Sequence, residues 1–267
     1  MKIRAAVVKE VGQPFEIETL DLAPPREKEV LVRIRAAGIC HSDWNIRTGE
    51  TEHPLPAALG HEGAGIVESL GEGVTSLRPG EHVALSWAPG CGSCYYCSGR
   101  RPALCETWKE ALWAGTLLDG TTRLSLDGRP VYHYCALACF AEYAVVPETC
   151  CVPVDKEVPL EVAALIGCAV TTGLGASMNT VKVEEGASVV IYGMGGVGLS
   201  ILAGARLAGA APLICVDLWE EKLELARSFG ATDAFKADDQ PHEKILAATA
   251  QRGADYVFEA TGSAEVQ

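Results

Sequence analysis

Along the first 150 residues the apolar positions fall in short runs separated by Gly and Pro; after residue 160 they fall in longer blocks of alternating period. The runs at 30–36, 63–70, 82–86 and 140–146 are predicted strands. Gly71-Glu72-Gly73 and Arg78-Pro79-Gly80 are turn signals between them. This pattern predicts a β-rich, barrel-like domain over residues 1–155. Residues 87–133 break it with a Cys cluster and a polar loop containing Gly115, Gly120 and Gly128.

The second part, residues 156–267, has another rhythm. An apolar strand at 188–192 is followed by a Gly-rich turn and a helix-like run at 199–207. A second strand at 213–216 ends in Asp217, and helix 220–229 follows. A short strand at 231–235, a helix at 242–250 and a strand at 255–260, read as buried on both faces, complete the pattern. Such alternation predicts a parallel βαβ sheet. A complete two-halved dinucleotide fold needs about six parallel strands. Three or four are legible before Gln267, so the sequence reads as C-terminally truncated.

Two uncharged stretches, 162–181 and 187–205, approach the roughly 20 residues of a membrane-spanning helix. Both are interrupted by Gly, which favours buried strand–turn–helix units, and no membrane partner is expected. Lys and Arg number 22 against 35 Asp and Glu, a net charge of −13, which argues against nucleic-acid or anionic-membrane binding. The composition, 48% hydrophobic and 21% charged, is that of a globular protein. Eleven cysteines and the polar start Met1-Lys2-Ile3-Arg4 point to a reduced, cytoplasmic protein whose thiols bind metal or stay free.

Gly193, Gly195 and Gly198, with Gly196 among them, match G-x-G-x-x-G between a strand and a helix. The glycines permit a tight turn, backbone approach to a pyrophosphate, and close helix–strand packing. The helix N-terminus that follows favours an anion. Asp217, about 20 residues on, suits the hydroxyls of an adenosine ribose and repels a 2′-phosphate, so the cofactor is predicted to be NAD.

Cys91, Cys94, Cys97 and Cys105 lie within one short segment. Four thiolates close a tetrahedron around zinc and leave no open position, as in a structural site. An iron–sulfur cluster is the alternative, although its common spacings differ. Cys135, Cys139, Cys150, Cys151 and Cys215 form no ligand set and read as buried or free thiols. Cys40, His61 and Cys168 are dispersed, and their spacing alone does not bring them together.

Gly38 to Asp43, Gly60 to Gly73, the four-Cys segment, Gly167-Cys168 and the glycine turn occur together and in order. On these motifs the chain resembles the zinc-dependent medium-chain alcohol dehydrogenases. The polar insertion at 107–133 is similar to that of the long-loop branch, which includes glutathione-dependent formaldehyde dehydrogenases and bacterial aryl-alcohol dehydrogenases. The resemblance implies a GroES-like β-barrel catalytic domain followed by a partial Rossmann doubly wound parallel sheet. It implies two zinc ions per chain and NAD. Cys40, His61 and Cys168 match catalytic zinc ligands, Glu62 an acid near the metal, and Asp43 the carboxylate that orients the liganding His. Ser42 matches the hydroxyl that takes the substrate proton, His41 a basic contact to the pyrophosphate, and Trp87 a pocket wall. Thr172 and Val197 match nicotinamide contacts, and Lys222 a ribose contact. Asn45 stands where many relatives carry a relaying His, and an amide cannot titrate.

The activity so implied is hydride transfer between NAD and a primary alcohol or aldehyde. The alternatives are a thiol-dependent formaldehyde dehydrogenase, with Lys109 facing a conjugate's carboxylate, and an inactive zinc- and nucleotide-binding fragment. The full-length form is expected to be a homodimer or homotetramer with a small-molecule substrate.

Overall fold

The computed structural model describes residues 1–266 and divides into two compact units, Met1–Cys168 and Ala169–Gln267. The first contains β1 (Lys2–Val8), β2 (Glu16–Leu22), β3 (Glu29–Gly38), α1 (His41–Thr48), β4 (Ala57–Ala58), β5 (Glu62–Leu70) and β6 (His82–Leu85). It continues with α2 (Tyr95–Ser98), α3 (Glu106–Ala114), β7 (Leu124–Leu126), β8 (Arg129–His133), β9 (Tyr143–Pro147), β10 (Cys151–Val154) and α4 (Leu160–Leu165). Strands β1-β2-β7-β8-β4 close into a barrel, and β10-β6-β5-β3-β9 form a five-stranded sheet.

That sheet explains the uninterrupted apolar run Val30-Leu31-Val32. Val30 and Val32 face one core with Val67, Val83 and Leu85, while Leu31 faces the barrel core with Leu20 and Leu124. A strand buried on both faces needs no polar alternation. Each fully buried Val or Leu contributes about 1.5–3 kcal/mol.

The stretch expected as a strand–turn–helix unit at 162–181 is instead helical throughout, Leu160–Thr180, with wider π-type turns in it. By length and composition it is sufficient to cross a membrane. Two of its three glycines, Gly167 and Gly173, mark close approaches rather than a turn. A Cβ on Gly167 would lie 2.2 Å from the Leu85 carbonyl oxygen, and one on Gly173 would lie 2.5 Å from that of Val197. The first compact unit runs on to Cys168 through α4, whose Ala163 and Ala164 are buried with Ala64 and Ala84 of the sheet.

The second unit holds α5 (Thr171–Gly175), β11 (Val189–Tyr192), α6 (Gly196–Leu207), β12 (Leu213–Asp217), α7 (Glu220–Phe229), β13 (Asp233–Lys236), α8 (Pro241–Ala248) and β14 (Tyr256–Glu259). All pairings in its sheet are parallel, in the order β13-β12-β11-β14. That is the 3-2-1-4 portion of a dinucleotide-binding sheet. β14 is not buried on both faces as expected: it pairs with β11 alone and Val257 is 62% exposed. No described element covers that side of it.

Candidate active site

The register of β3 against β5 pairs Gly38 with Glu62, which brings the segment entering Cys40 beside the one carrying His61. A Cβ on Gly38 would lie 2.2 Å from the Glu62 carboxylate, which would have to turn away to make room. Gly60, at φ +90°, makes the turn before His61 in a conformation that glycine adopts without strain. The close seating of Gly167 on β6 delivers Cys168 to the same point. One ligand atom each from Cys40, His61, Glu62 and Cys168 then lies within 4.8 Å of the others.

Asp43, on the first turn of α1, ties these segments together. Its Oδ1 accepts hydrogen bonds from the Gly60 N–H at 2.9 Å and His61 Nδ1 at 3.3 Å, and its Oδ2 accepts from the Cys40 N–H at 3.2 Å. His61 thus donates through Nδ1 and turns Nε2 toward the two sulfurs. Burial opposes a charge on His61, but the bonds to Asp43 and Cys40 outweigh it and raise its pKa to about 9. A hydrogen bond from Cys168 holds the Cys40 pKa down, to about 3. Burial, then the Cys40 charge, raises the pKa of Glu62. Two sulfurs, one imidazole and a neighbouring carboxylate suit zinc in a site that keeps an open position.

This cluster opens into a cavity of about 620 Å³ that also has Ser42, Trp87, Tyr134 and Cys135 in its wall. Ser42 Oγ lies 3.6 Å from Cys40 Sγ. The segment after Tyr134 is strained: Cys135, Ala136 and Ala138 have φ of 54°, 58° and 74°. Left-handed non-glycine residues cost about 1–3 kcal/mol each. What they achieve here is the edge-on contact of the Tyr134 ring with His61, 5.1 Å between centroids.

The four-Cys segment forms a second cluster, its sulfurs again within 4.8 Å of one another. Cys91 and Cys97 are 3.9 Å apart, as are Cys94 and Cys105. A tetrahedron with bonds of about 2.3 Å has edges of about 3.8 Å, so the residues fit one zinc ion and leave no room for an iron–sulfur cluster. Backbone N–H groups of Cys91, Cys94 and Cys97 donate to the sulfurs of Cys105, Cys91 and Cys94. A hydrogen bond from Thr107 and backbone donors pull the Cys91 pKa down to about 5. All eleven cysteines are free of disulfides. Those outside the two clusters join no metal-capable group among the described residues.

In the second unit, Gly193 turns at φ +89°. A Cβ on Gly198 would lie 1.8 Å from the Gly193 carbonyl oxygen, whereas Gly195 faces open space. Asp217 is buried, its Oδ2 accepting from Met194 N–H at 2.7 Å and its Oδ1 from Trp219 N–H at 3.0 Å. Lys222 Nζ is 3.9 Å from it. This is a phosphate-sized turn at a helix N-terminus beside an acid with unused lone pairs, which fits the pyrophosphate and ribose of NAD. Val197 is on the first turn of α6, Thr172 is exposed on α5, and His41 is exposed at the start of α1.

Residues 26–156 match the family described as alcohol dehydrogenase GroES-like domain, and residues 196–267 match zinc-binding dehydrogenase. The chain is 42% identical over 269 residues to S-(hydroxymethyl)glutathione dehydrogenase of Escherichia coli, covering 100% of this chain and 73% of that protein. It belongs to the zinc-binding alcohol dehydrogenase family. Two solved structures of such dehydrogenases are each 39% identical, covering 100% of this chain and 72% of theirs. They are an alcohol dehydrogenase zinc-binding domain protein of Burkholderia ambifaria, TM-score 0.93, and benzyl alcohol dehydrogenase of Acinetobacter calcoaceticus, TM-score 0.92. Within this zinc-binding dehydrogenase chain, sequence reasoning singled out Lys109 of α3 but missed Tyr134, Leu112 and Trp113 in the cavity lining. The spacing of Trp108 and Leu112, four apart, was the available helical signal.

Proposed function

We propose that the chain is an NAD-dependent oxidoreductase that moves a hydride between NAD and a primary alcohol or aldehyde. The observation that carries this reading is the convergence of Cys40, His61 and Cys168 on a cavity with Ser42 in its wall. When bound, zinc supplies a Lewis acid for the substrate oxygen and NAD supplies the hydride acceptor. Cys40, His61 and Cys168 are the donors that hold the metal, and Asp43 fixes His61 for that task. Ser42 takes the hydroxyl proton of the substrate. Asn45, on the next turn of α1, cannot carry it further. Tyr134 and Trp87 narrow the space around the reacting group and exclude water. Residues 193–198, Val197 among them, Thr172, Asp217 and Lys222 hold NAD. Glu62, whose carboxylate lies within 4.8 Å of the cysteine and histidine donors, would offer the metal a further oxygen ligand.

A second reading, oxidation of S-(hydroxymethyl)glutathione, is favoured by the 42% identity to a protein of that name. Free thiols throughout favour a reduced, cytoplasmic setting. The test is alcohol-dependent NADH formation with ethanol, hexanol and benzyl alcohol, together with zinc analysis. Absence of turnover with every alcohol by the zinc-loaded protein overturns the proposal.

A further inference from the structure

Two of the six histidines touch one tyrosine. His61 meets the Tyr134 ring edge-on, at 5.1 Å between centroids and 83° between planes. His53 meets the same ring at 5.5 Å and 77°. His53 is fixed in turn. Its Nε2–H donates to the His133 carbonyl at 3.0 Å. A carbonyl only accepts, so this nitrogen carries the proton and Nδ1 is left as a bare acceptor. That Nδ1 is buried with no hydrogen-bond partner among the described residues. Burial also holds the pKa of the ring down, which favours the neutral form. A buried ring that uses one of its two nitrogens is placed for its shape, against Tyr134.

His133 has the opposite tautomer. Its Nε2 accepts from the Arg123 N–H, so Nδ1 holds the proton and faces the Leu137 carbonyl at 3.4 Å. That contact spans the segment after Tyr134 and closes residues 133–137 into a loop. Within the loop lie the left-handed Cys135 and Ala136, a conformation that persists only where its surroundings hold it. The Leu137 N–H also returns to the Tyr134 carbonyl at 3.0 Å. The backbone that aims Tyr134 is thus closed by the His133 side chain, and the His133 carbonyl places His53 on the ring.

We propose that His53 and His133 are positioning residues for the zinc donor His61, acting through the Tyr134 ring that they hold against it. The proposal rests on the reading of Cys40, His61 and Cys168 as a zinc site. Asp43 bonds His61 at one nitrogen, which sets a direction, and the Tyr134 contact limits the tilt of the ring about it. Outer partners of a ligating histidine change metal affinity by about 10–100-fold when removed.

Paired amide variants separate positioning from packing. An Asn side-chain N–H replaces the Nδ1–H of histidine, whereas a Gln amide replaces the Nε2 end. His133→Asn therefore keeps a donor for Leu137, and His133→Gln keeps a partner for Arg123 but loses that donor. Zinc affinity of the Cys40, His61 and Cys168 cluster is read by competition with a chelator. It should fall about tenfold in His133→Gln and stay within about threefold in His133→Asn. His53→Gln retains the bond to the His133 carbonyl but removes the ring from Tyr134. It should also lose about tenfold, and His53→Phe, which restores a ring, should recover most of the loss. NMR of the histidine ring nitrogens should show neutral rings with the proton on Nε2 in His53 and on Nδ1 in His133. Equal losses within each pair, full affinity in both Gln variants, or inverted tautomers overturn the inference. The His53 pair decides it should His133→Gln not fold. None of these readouts needs turnover, so a zinc-loaded protein that oxidises no alcohol overturns the dehydrogenase reading instead.

Discussion

The carboxylate of Asp43, 1% exposed, accepts a hydrogen bond from Nδ1 of His61 at 3.3 Å. The same oxygen also holds the Gly60 N–H at 2.9 Å, so the backbone turn and the His61 ring share one anchor. Asp43→Asn keeps the shape but replaces an acceptor by a donor at one end. Zinc affinity of the catalytic cluster should fall roughly 10–100-fold, read by competition with a chelator. Unchanged affinity would show that Asp43 does not position His61.

The second cluster is predicted to bind its own ion. Intact protein should contain two zinc ions per chain and Cys94→Ser one, as measured by metal analysis. Because structural-metal binding energy is also folding energy, the variant should melt roughly 10 °C lower. Iron in place of zinc, or two ions retained, refutes the assignment.

His133 gives a stability effect with a definite sign. It is fully buried; its Nε2 accepts the Arg123 N–H at 3.0 Å, and its Nδ1 lies 3.4 Å from the Leu137 carbonyl. Burial holds its pKa down at about 4, against about 6.5 in the unfolded chain. The folded state therefore refuses a proton that the unfolded state binds. Stability is full above pH 6.5 and falls as pH drops toward 4, by about 3 kcal/mol from this residue. Denaturant unfolding across that range should have a shallower pH slope in His133→Gln than in the unmodified protein. Equal slopes would count against a neutral, buried imidazole.

Cofactor choice is predicted to rest on Asp217. Its carboxylate repels the additional phosphate of NADP, and Lys222, 3.9 Å away and exposed, offsets this only in part. Asp217→Ala should narrow the ratio of NADPH to NADH dissociation constants by about tenfold, measured by the fluorescence of the reduced nucleotides. Equal affinity for both nucleotides in the unmodified chain refutes the prediction.

The nucleotide half was legible where period and punctuation agree. Helix 220–229 coincides with α7, and the strand before Asp217 coincides with β12, because both fill regular faces of one sheet. Strands β1 and β2 escaped notice. Their cores are made of Ile3, Ala5, Val7, Leu20 and Leu22, diluted by Lys, Arg, Glu and by Ile17, which points to solvent. α3 was hidden in a segment whose outward positions are polar. The four-Cys set could be read from spacing since its ligands are local. The catalytic set could not, since it is assembled by the β3–β5 register and by the approach of Gly167 to Leu85, both long-range events. Family resemblance supplied what spacing lacked.

The bond from Met194 N–H to Asp217, 2.7 Å long, joins the glycine turn to the end of the neighbouring strand. The turn is therefore latched in shape by the same carboxylate that we propose meets the ribose. Nucleotide association should then proceed in one kinetic step with no slow isomerisation, since little ordering remains to be done on encounter. Cutting the latch would introduce a lag: Asp217→Ala should turn a single-exponential stopped-flow trace into a biphasic one, even at saturating NAD.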